Sequence, residues 1–286
     1  MSEQAAKISD TIETRIGRRF QELASAGELG IVTYLTAGDP SLAATEEIVL
    51  ATAAAGADVI ELGVPFSDPV ADGPTIQRAS ERALRQGTTL ANVIDLVVRL
   101  REKTEVPLML FSYFNPILQM GLEHFAANAR HAGADGVLVT DMTPEEGSEY
   151  RATMQSHELD TIFLAAPTST DDRLRLISKA SSGFLYVISR TGVTGAKDSL
   201  PEELPAMVRR ARKFTPLPIA VGFGISLPTQ VTILGGIVDA VVVGSVLVSE
   251  IERAKSASAA AEAVAERVKL LKHAARHGVS RRDTNA

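Results

Sequence analysis

The sequence predicts an α/β fold in which eight parallel strands close into a (β/α)8 barrel. Three observations predict it: short runs rich in Val, Ile and Leu recur eight times, longer helical segments separate them, and 286 residues suit one such barrel. A doubly wound open sheet is the rival fold. It is disfavoured because the turn after the first strand, Thr36–Pro40, lacks a glycine-rich dinucleotide fingerprint.

Apolar runs and helical segments alternate along the chain in the order that a TIM barrel requires. Each run carries few charges, which is typical of parallel strands covered on both faces. The predicted strands are 31–36 (IVTYLT), 58–62 (DVIEL), 107–113 (PLMLFSY), 135–140 (DGVLVT), 161–164 (TIFL), 183–189 (GFLYVIS), 217–221 (LPIAV) and 238–243 (VDAVVV). The helical segments between them are 43–56, 75–101, 121–132, 144–156, 170–180, 201–213 and 226–235.

An extra N-terminal helix precedes the predicted barrel, which we expect to span about residues 30–252. The helix covers about residues 10–25, and Ser9 or Asp10 can cap its first turn. Apolar residues recur on one of its faces, and this stripe can cover the bottom of the barrel. The stripe consists of Ile12, Ile16, Phe20 and Leu23.

An additional C-terminal helix follows the barrel, over about residues 257–277, and Gly278 can end it. We expect the tail 279–286 to be flexible. No linker rich in proline or serine interrupts the chain, so residues 1–286 are predicted to form a single domain. The apolar face of this last helix consists of Val264, Val268 and Leu271.

Composition and charge exclude several classes of protein. The chain has no cysteine, so it forms neither disulfides nor thiolate metal sites. A net charge of -6 leaves no broad basic face for a nucleic acid backbone. No apolar run approaches the roughly 18 residues of a membrane span, and the segment Met1–Phe20 lacks the apolar core of a secretory signal. We therefore expect a cytoplasmic enzyme.

A carboxylate interrupts the apolar second strand. In Val59–Leu62, alternate residues share a face, so Glu61 points into the barrel mouth if Ile60 and Leu62 face the helices. Active sites of such barrels lie at the C-terminal ends of the strands, where burial favours a neutral carboxyl and raises its pKa. Glu61 is therefore a candidate acid or base, and an ion pair with a neighbouring strand is the alternative.

The loop after this strand, residues 63–74, is rigid and acidic. It contains three prolines and two glycines, together with Asp68 and Asp72. Asp72-Gly73-Pro74 has the form of a turn into a helix, for which Asp72 can supply the cap. From spacing alone, we prefer capping to a catalytic role for Asp72.

Glycines follow the last three predicted strands. After the sixth, Ser189–Gly195 combines glycines with hydroxyls, which is typical of a mobile lid or an anion cradle, and a solvated connection is the alternative. Gly222-Phe223-Gly224 follows the seventh strand, and Gly244-Ser245 follows the eighth. Barrels commonly bind phosphate at these last two positions, through backbone N–H groups and a helix N-terminus. The sequence therefore predicts a phosphate site there.

The chain lacks the groups on which two classes of aldolase depend. A Schiff base needs a buried lysine on a strand, and a zinc site needs clustered histidines. Carboxylates and a tyrosine remain, which fits proton transfer on a phosphorylated substrate that can itself hold the developing electrons. The lysines considered fall in predicted helices or in the sixth loop, and they are Lys103, Lys179, Lys197, Lys213 and Lys255. The histidines fall on predicted helices or their ends, and they are His124, His131, His157, His273 and His277.

Five motifs of this sequence resemble those of the tryptophan synthase alpha chain family. The longest is Glu61–Pro74, which reads ELGVPFSDPVADGP. The others are Thr36–Pro40, Tyr113–Pro116, Ser189–Gly195 and Gly222–Ile225. They occur in family order from the first strand to the eighth, so the resemblance covers nearly the whole barrel.

The resemblance implies a lyase that cleaves indole-3-glycerol phosphate to indole and glyceraldehyde 3-phosphate in tryptophan biosynthesis. Glu61 matches the family's catalytic acid/base, which moves a proton to and from the reacting indole carbon. Asp72 matches the second catalytic carboxylate, which interacts with the indole N–H and stabilises positive charge on the ring. This implication replaces the capping preference for Asp72. The ring is the electron sink, so neither a metal nor a lysine is required.

The resemblance also implies the substrate-binding positions. Tyr186 matches a tyrosine of the substrate pocket, and Thr194 matches a threonine of the closing loop that contacts Asp72. The remaining indole-pocket positions are Tyr34, Phe111, Leu138 and Thr140, and the phosphate-binding positions are Gly195, Gly224, Gly244 and Ser245.

The loop Pro65–Asp72 resembles the segment of alpha chains that docks onto a beta chain. This implies an α2β2 heterotetramer in which indole passes to a beta chain carrying pyridoxal phosphate, while this chain binds no cofactor. Three alternatives remain: a stand-alone indole-3-glycerol phosphate lyase, another phosphate-binding barrel such as a sugar-phosphate epimerase or isomerase, and a non-catalytic allosteric barrel. The two carboxylates, Glu61 and Asp72, argue against the last two.

Overall fold

Nine parallel strands and twelve helices make up the part of the chain that the computed structural model describes, residues 14–188, 202–222 and 224–277. The strands are β1 Gly30–Thr36, β2 Val59–Gly63, β3 Leu108–Ser112, β4 Gly136–Val139, β5 Asp160–Ile162, β6 Leu164–Ala165, β7 Leu185–Ile188, β8 Ile219–Gly222 and β9 Ala240–Val243. The helices are α1 Arg15–Ala26, α2 Leu42–Ala54, α3 Pro74–Arg85, α4 Leu90–Arg101, α5 Phe114–Met120, α6 Leu122–Ala132, α7 Ser148–Ser156, α8 Asp171–Ala180, α9 Leu204–Arg212, α10 Pro228–Leu234, α11 Ser245–Arg253 and α12 Ala257–His277.

The strands form one curved sheet in the order β5-β4-β3-β2-β1-β9-β8-β7-β6, and neighbouring strands are parallel. Its two edge strands, β5 and β6, are consecutive parts of one chain segment separated only by Phe163. The sheet therefore curves round into the predicted barrel. The predicted strand 161–164 is split because the Phe163 N–H donates to the Ser181 hydroxyl (3.2 Å) instead of to a strand carbonyl.

Side chains alternate between the barrel interior and the layer of helices. Ile60 and Leu62 of β2 belong to the outer core, together with Leu96 of α4. Val59 belongs to the cluster that fills the barrel interior. Because Glu61 lies between Ile60 and Leu62, it points into the barrel, as strand alternation predicts.

Helix α1 closes the N-terminal end of the barrel. Its residues Ile16, Phe20 and Leu23 are buried within the interior cluster, and the Phe20 ring lies 5.5 Å from that of Phe184. The helix begins at Arg15, later than predicted, because Thr14 is extended and its hydroxyl accepts from the Gly17 N–H (3.0 Å). The two caps proposed from the sequence, Ser9 and Asp10, lie outside the described residues, as does Ile12, the first residue of the stripe.

Two predicted helical segments differ from the structure. The segment 75–101 is not one helix but two, since Gly87 adopts φ +76 and Thr89 starts α4 with a capping box to Asn92. The segment 121–132 has a separate short helix before it, α5. A helix also follows β9 directly, α11, so the N-terminus of a helix stands at the carboxyl end of this strand.

Helix α12 spans residues 257–277, as the sequence predicts, and packs its buried Val264, Val268 and Leu271 into the outer core. Gly278, the predicted stop, lies outside the described residues. Among the helices described, α12 included, none combines the length and hydropathy that crossing a membrane requires.

Buried aspartates fix the N-terminal ends of the strands, opposite the predicted site. The Asp58 carboxylate accepts from the Ile31 N–H (2.6 Å), and Asp135 accepts from Leu108 N–H (2.8 Å). Asp58 also binds the Lys272 ammonium of α12 at 2.8 and 2.9 Å. These contacts anchor β1, β3 and the last helix at the N-terminal end of the barrel. Active sites of such barrels lie at the opposite, C-terminal end.

Candidate active site

Glu61 is buried at the carboxyl end of β2, with none of its surface exposed. Neither of its carboxylate oxygens has a hydrogen-bond partner among the residues that the structure describes. Burial raises the pKa of Glu61 to about 8, because a charge removed from water without a partner is unfavourable. Among the described residues, Glu61 does not form the ion pair that the sequence left open as an alternative. With this pKa, the carboxyl holds a proton at neutral pH.

Tyr34 forms one side of the space around Glu61. Its hydroxyl reaches across Gly63 of the neighbouring strand, where an added Cβ would stand only 2.1 Å from the oxygen. Its ring meets Phe111 of β3 edge-on, at 5.1 Å between centroids. Burial, followed by the negative charge of Asp72, raises the pKa of Tyr34, and Glu61 contributes in the same direction. The phenol is therefore a neutral hydrogen-bonding group close to both carboxylates.

Tyr186 of β7 approaches the same space from another part of the barrel. Its hydroxyl lies over Gly222 of β8, 2.3 Å from where a Cβ would stand. Burial raises the pKa of Tyr186, with further contributions from Glu61 and Tyr34. Two buried tyrosines thus converge on Glu61, and each depends on a glycine in the adjacent strand for its position.

Asp72 is buried but does not cap α3. The N-cap residue of that helix is Gly73, and the Asp72 Oδ2 accepts a hydrogen bond from the Tyr113 hydroxyl at 3.2 Å. Burial raises the pKa of Asp72 to about 6, against the opposing effect of the hydrogen bond from Tyr113. The capping preference drawn from spacing is therefore wrong, and the carboxylate faces the aromatic residues of the site.

Tyr113 is a site residue to which the sequence alone assigned no role. It follows β3 directly, is buried, and its ring stacks on Phe66 at 5.0 Å between centroids. The Ala71 N–H donates to its hydroxyl at 2.9 Å. The signal in the sequence was its position in Tyr113–Pro116, after a strand that leads into the barrel mouth.

The other residues expected in the indole pocket lie on β3, β4 and the loop after β4. Phe111 is partly exposed and contacts Tyr34, whereas Leu138 is fully buried in the interior cluster with Tyr186. Thr140 is half-buried, and its hydroxyl donates to the Ser112 carbonyl at 3.3 Å. The structure therefore brings Phe111 to the mouth and places Leu138 deeper in the barrel.

The residues expected to bind phosphate lie at the ends of β8 and β9, and β9 pairs with β1. Gly224 follows β8 with φ +90, a conformation that suits glycine. Gly244 is the N-cap of α11 and Ser245 is its first residue. Gly244 also lies beside Tyr34: a Cβ added at Gly244 would stand 3.2 Å from the Cβ of the tyrosine. Two further expected residues, Thr194 and Gly195, lie outside the described residues.

The two carboxyl groups of this largely apolar site have different pKa values. Near neutral pH, Glu61 with a pKa of about 8 holds a proton, whereas Asp72 with a pKa of about 6 carries a charge. Pairs of carboxyls tuned apart in this way supply an acid and an electrostatic stabiliser to one reaction. Such a site can donate a proton to a bound substrate and stabilise positive charge on it.

The chain is similar to the proteins of one family over most of its length. A sequence model of the family "Tryptophan synthase alpha chain" matches residues 20–276. The tryptophan synthase alpha chain of Solibacter usitatus is 53% identical over 240 residues, covering 84% of this chain and 90% of that protein. The tryptophan synthase alpha chain of Geobacter sulfurreducens is 48% identical over 261 residues, covering 91% and 98% respectively.

Solved structures of tryptophan synthase, or of its alpha subunit, share the fold. A structure of Mycobacterium tuberculosis tryptophan synthase superposes with a TM-score of 0.86 at 33% identity, covering 93% of this chain and 99% of that one. Tryptophan synthase subunit alpha from Legionella pneumophila gives a TM-score of 0.84 at 35% identity, covering 91% and 98%.

Proposed function

The chain belongs to the tryptophan synthase alpha chain family, and on this basis we propose how its residues cleave indole-3-glycerol phosphate. The reaction is a retro-aldol cleavage that yields indole and glyceraldehyde 3-phosphate, which makes the protein a lyase of tryptophan synthesis. Such a cleavage needs an acid for the ring carbon, stabilisation of the charged ring and a base for the side-chain hydroxyl.

Glu61 is the proposed acid. Its carboxyl donates a proton to C3 of the indole ring, which gives an indolenine-like cation whose positive charge centres on the ring nitrogen. The bond between C3 and the glycerol phosphate carbon then breaks, and its electron pair returns to the ring as indole. The Glu61 carboxylate accepts the proton of the adjacent hydroxyl, which becomes the aldehyde, and the starting protonation state returns.

Asp72 is the proposed stabiliser of the charged ring. Its carboxylate accepts the hydrogen bond of the indole N–H, which becomes stronger as the ring becomes positive. The apolar surroundings of Tyr34, Phe111 and Leu138 bind the flat ring and strengthen this charge interaction by excluding water. Tyr186 supplies a buried hydroxyl beside Glu61, and Thr140 supplies one beside Tyr113.

The phosphate group is proposed to bind at the ends of β8 and β9. Backbone N–H groups at Gly224, Gly244 and Ser245 supply neutral donors, and the dipole of α11 favours an anion at its first turn. Thr194 and Gly195 are proposed to complete the site from the loop after β7.

One observation carries this assignment: a glutamic acid that is fully buried, has no hydrogen-bond partner among the described residues, and stands at the carboxyl end of a barrel strand. Burying a carboxyl without a hydrogen bond destabilises the folded state and contributes no stabilising contact. Such a group is typical of a catalytic site.

We also propose a beta-chain partner, docked through the loop Pro65–Asp72, in an α2β2 heterotetramer. Val70 in this loop is 80% exposed, so its apolar side chain is accessible to a partner chain. Pyridoxal phosphate is proposed to reside in the beta chain, with no cofactor in this one. The proposed location of the complex is the cytoplasm.

The experiment is to measure indole release from indole-3-glycerol phosphate by the purified chain, with and without a tryptophan synthase beta chain. We expect slow cleavage that rises strongly with the partner. Fast cleavage that ignores the partner would favour a stand-alone lyase, and no cleavage under either condition would overturn the proposed function. Val70→Asp should raise the beta-chain concentration needed for half-maximal activation, whereas Leu118→Asp, at an exposed apolar residue of α5, should not.

A further inference from the structure

The Tyr113 hydroxyl connects the end of β3 to the loop that carries Asp72. It donates to the Asp72 Oδ2 at 3.2 Å and accepts from the Ala71 N–H at 2.9 Å. One oxygen therefore contacts both the side chain of Asp72 and the backbone immediately before it. Tyr113 lies 41 residues further along the chain, so this contact depends on the fold and not on local turn geometry.

The Tyr113 ring holds a second point of the same loop. It stacks on Phe66 at 5.0 Å between centroids and an interplanar angle of 31°. Phe66 lies near the start of the loop and Asp72 near its end, so one side chain holds both parts against β3. Tyr113 is itself only 3% exposed, so the ring has little freedom to turn away.

We propose that Tyr113 is a positioning residue for Asp72, which holds the carboxylate in one orientation and in its ionised form. The inference rests on the proposed role of Asp72. An ionised carboxylate accepts a phenol hydrogen bond more strongly than a neutral carboxyl does, so this contact favours the charged state that the indole N–H requires.

The hydrogen bond opposes the effect of burial on Asp72. Burial raises the pKa of Asp72 and the Tyr113 hydroxyl lowers it, with a result of about 6. The titratable groups that interact with Asp72 are Tyr34 from β1 and Tyr113 from the end of β3, and Glu61 of β2 interacts with Tyr34. When the hydroxyl is removed, burial acts unopposed, so the pKa of Asp72 rises and less of it is charged near pH 6.

The test is the pH profile of indole release by Tyr113→Phe, assayed with the beta chain. We expect kcat to fall about ten- to a hundredfold, the equivalent of a hydrogen bond to a charged group, with KM little changed. The acid limb of the profile should move to higher pH. Phe keeps the ring contact with Phe66, so circular dichroism and thermal unfolding should report a folded protein.

Tyr150→Phe is the matched control. Tyr150 is also buried, and its hydroxyl donates to the Val137 carbonyl at 3.1 Å on the helix side of the barrel. It should lose stability comparable to that of Tyr113→Phe and keep the kcat and pH profile of the unsubstituted chain. Site-specific 3-fluorotyrosine at position 113, a stronger donor of similar size, should move the acid limb to lower pH, and this variant serves even where Tyr113→Phe folds poorly.

Asp72→Asn distinguishes a failure of the proposed role of Asp72 from a failure of the positioning role of Tyr113. An active Asp72→Asn overturns the proposed function of Asp72 itself. An inactive Asp72→Asn, combined with an unshifted profile in both position-113 variants, overturns only the positioning role of Tyr113. Opposite shifts in the two position-113 variants establish it.

Discussion

Tyr34 on β1 stands directly opposite Glu61 on β2 in the parallel strand register, and both side chains enter the barrel. The neighbour of the carboxyl on this side is therefore a neutral phenol and not a cation. Tyr186 faces it from β7 and is equally buried. Among the residues that the structure describes, Glu61 therefore has no countercharge, which favours its protonated form at neutral pH.

The two carboxyls predict a bell-shaped pH dependence for kcat/KM. Activity should rise through about pH 6 as Asp72 ionises, and fall through about pH 8 as Glu61 loses its proton. The measurement is indole release from about pH 5 to about pH 10, with the beta chain present in excess. An alkaline limb absent up to about pH 10 would contradict the role of Glu61 as the acid.

The buried carboxyl also predicts how stability depends on pH. The pKa of Glu61 is raised from 4.5 in the unfolded chain to about 8 in the folded one. The folded state therefore binds more protons between these values, and stability falls as pH rises through this window. Glu61→Gln should remove this dependence and be more stable than the unsubstituted chain above pH 8, by on the order of a few kcal/mol.

Urea unfolding at about pH 6 and about pH 9 measures that difference. Glu81→Gln, at an exposed residue of α3, is the matched control and should follow the unsubstituted chain at both values. Parallel pH dependence in Glu61→Gln and the unsubstituted chain would show that Glu61 is not buried as a neutral acid.

Gly63→Ala should damage catalysis through Tyr34. The added Cβ would stand 2.1 Å from the tyrosine hydroxyl, so the ring has to move away from Glu61. We expect kcat/KM to fall at least tenfold and stability to fall by about 1–3 kcal/mol, as in other overpacked cores. Both are measured by steady-state assay and urea unfolding of the same preparation.

Gly87→Ala distinguishes a local clash from general destabilisation. Gly87 has φ +76 and open space around its Cβ position, so alanine there costs about 1 kcal/mol through backbone strain alone. It should be less stable with kcat/KM unchanged. A comparable loss of activity in both variants would mean that the position of Tyr34 is not the cause.

Lys272→Met should reduce stability without affecting cleavage. The ammonium and Asp58 are both buried and paired at 2.8 Å, at the end of the barrel opposite Glu61. Asp58 keeps its contact with Arg19, so the expected loss is about 1–3 kcal/mol and not the full cost of an isolated buried charge. Lys269→Met, exposed on the same helix, should change neither quantity. A fall in kcat for Lys272→Met alone would indicate coupling between the two ends.

The sequence predicted those features that depend on local periodicity. Alternation along Val59–Leu62 gave the direction of Glu61, and Gly244-Ser245 was placed directly after the last strand, although helix α11, which begins there, was not among the predicted helices. Tertiary contacts decided the rest. Asp72 looked like a cap because nothing local indicates a tyrosine 41 residues away, and the fifth strand is broken because Ser181 binds the Phe163 N–H.

Single-turnover indole release by the unsubstituted chain and by Glu61→Gln, both saturated with beta chain and indole-3-glycerol phosphate, tests whether Glu61 protonates the substrate. We predict that Glu61→Gln folds and binds substrate but releases indole about a hundred- to ten-thousandfold more slowly, the range expected when a general acid is removed. Release at a rate within tenfold of the unsubstituted chain would contradict the assignment of Glu61 as the group that protonates the substrate.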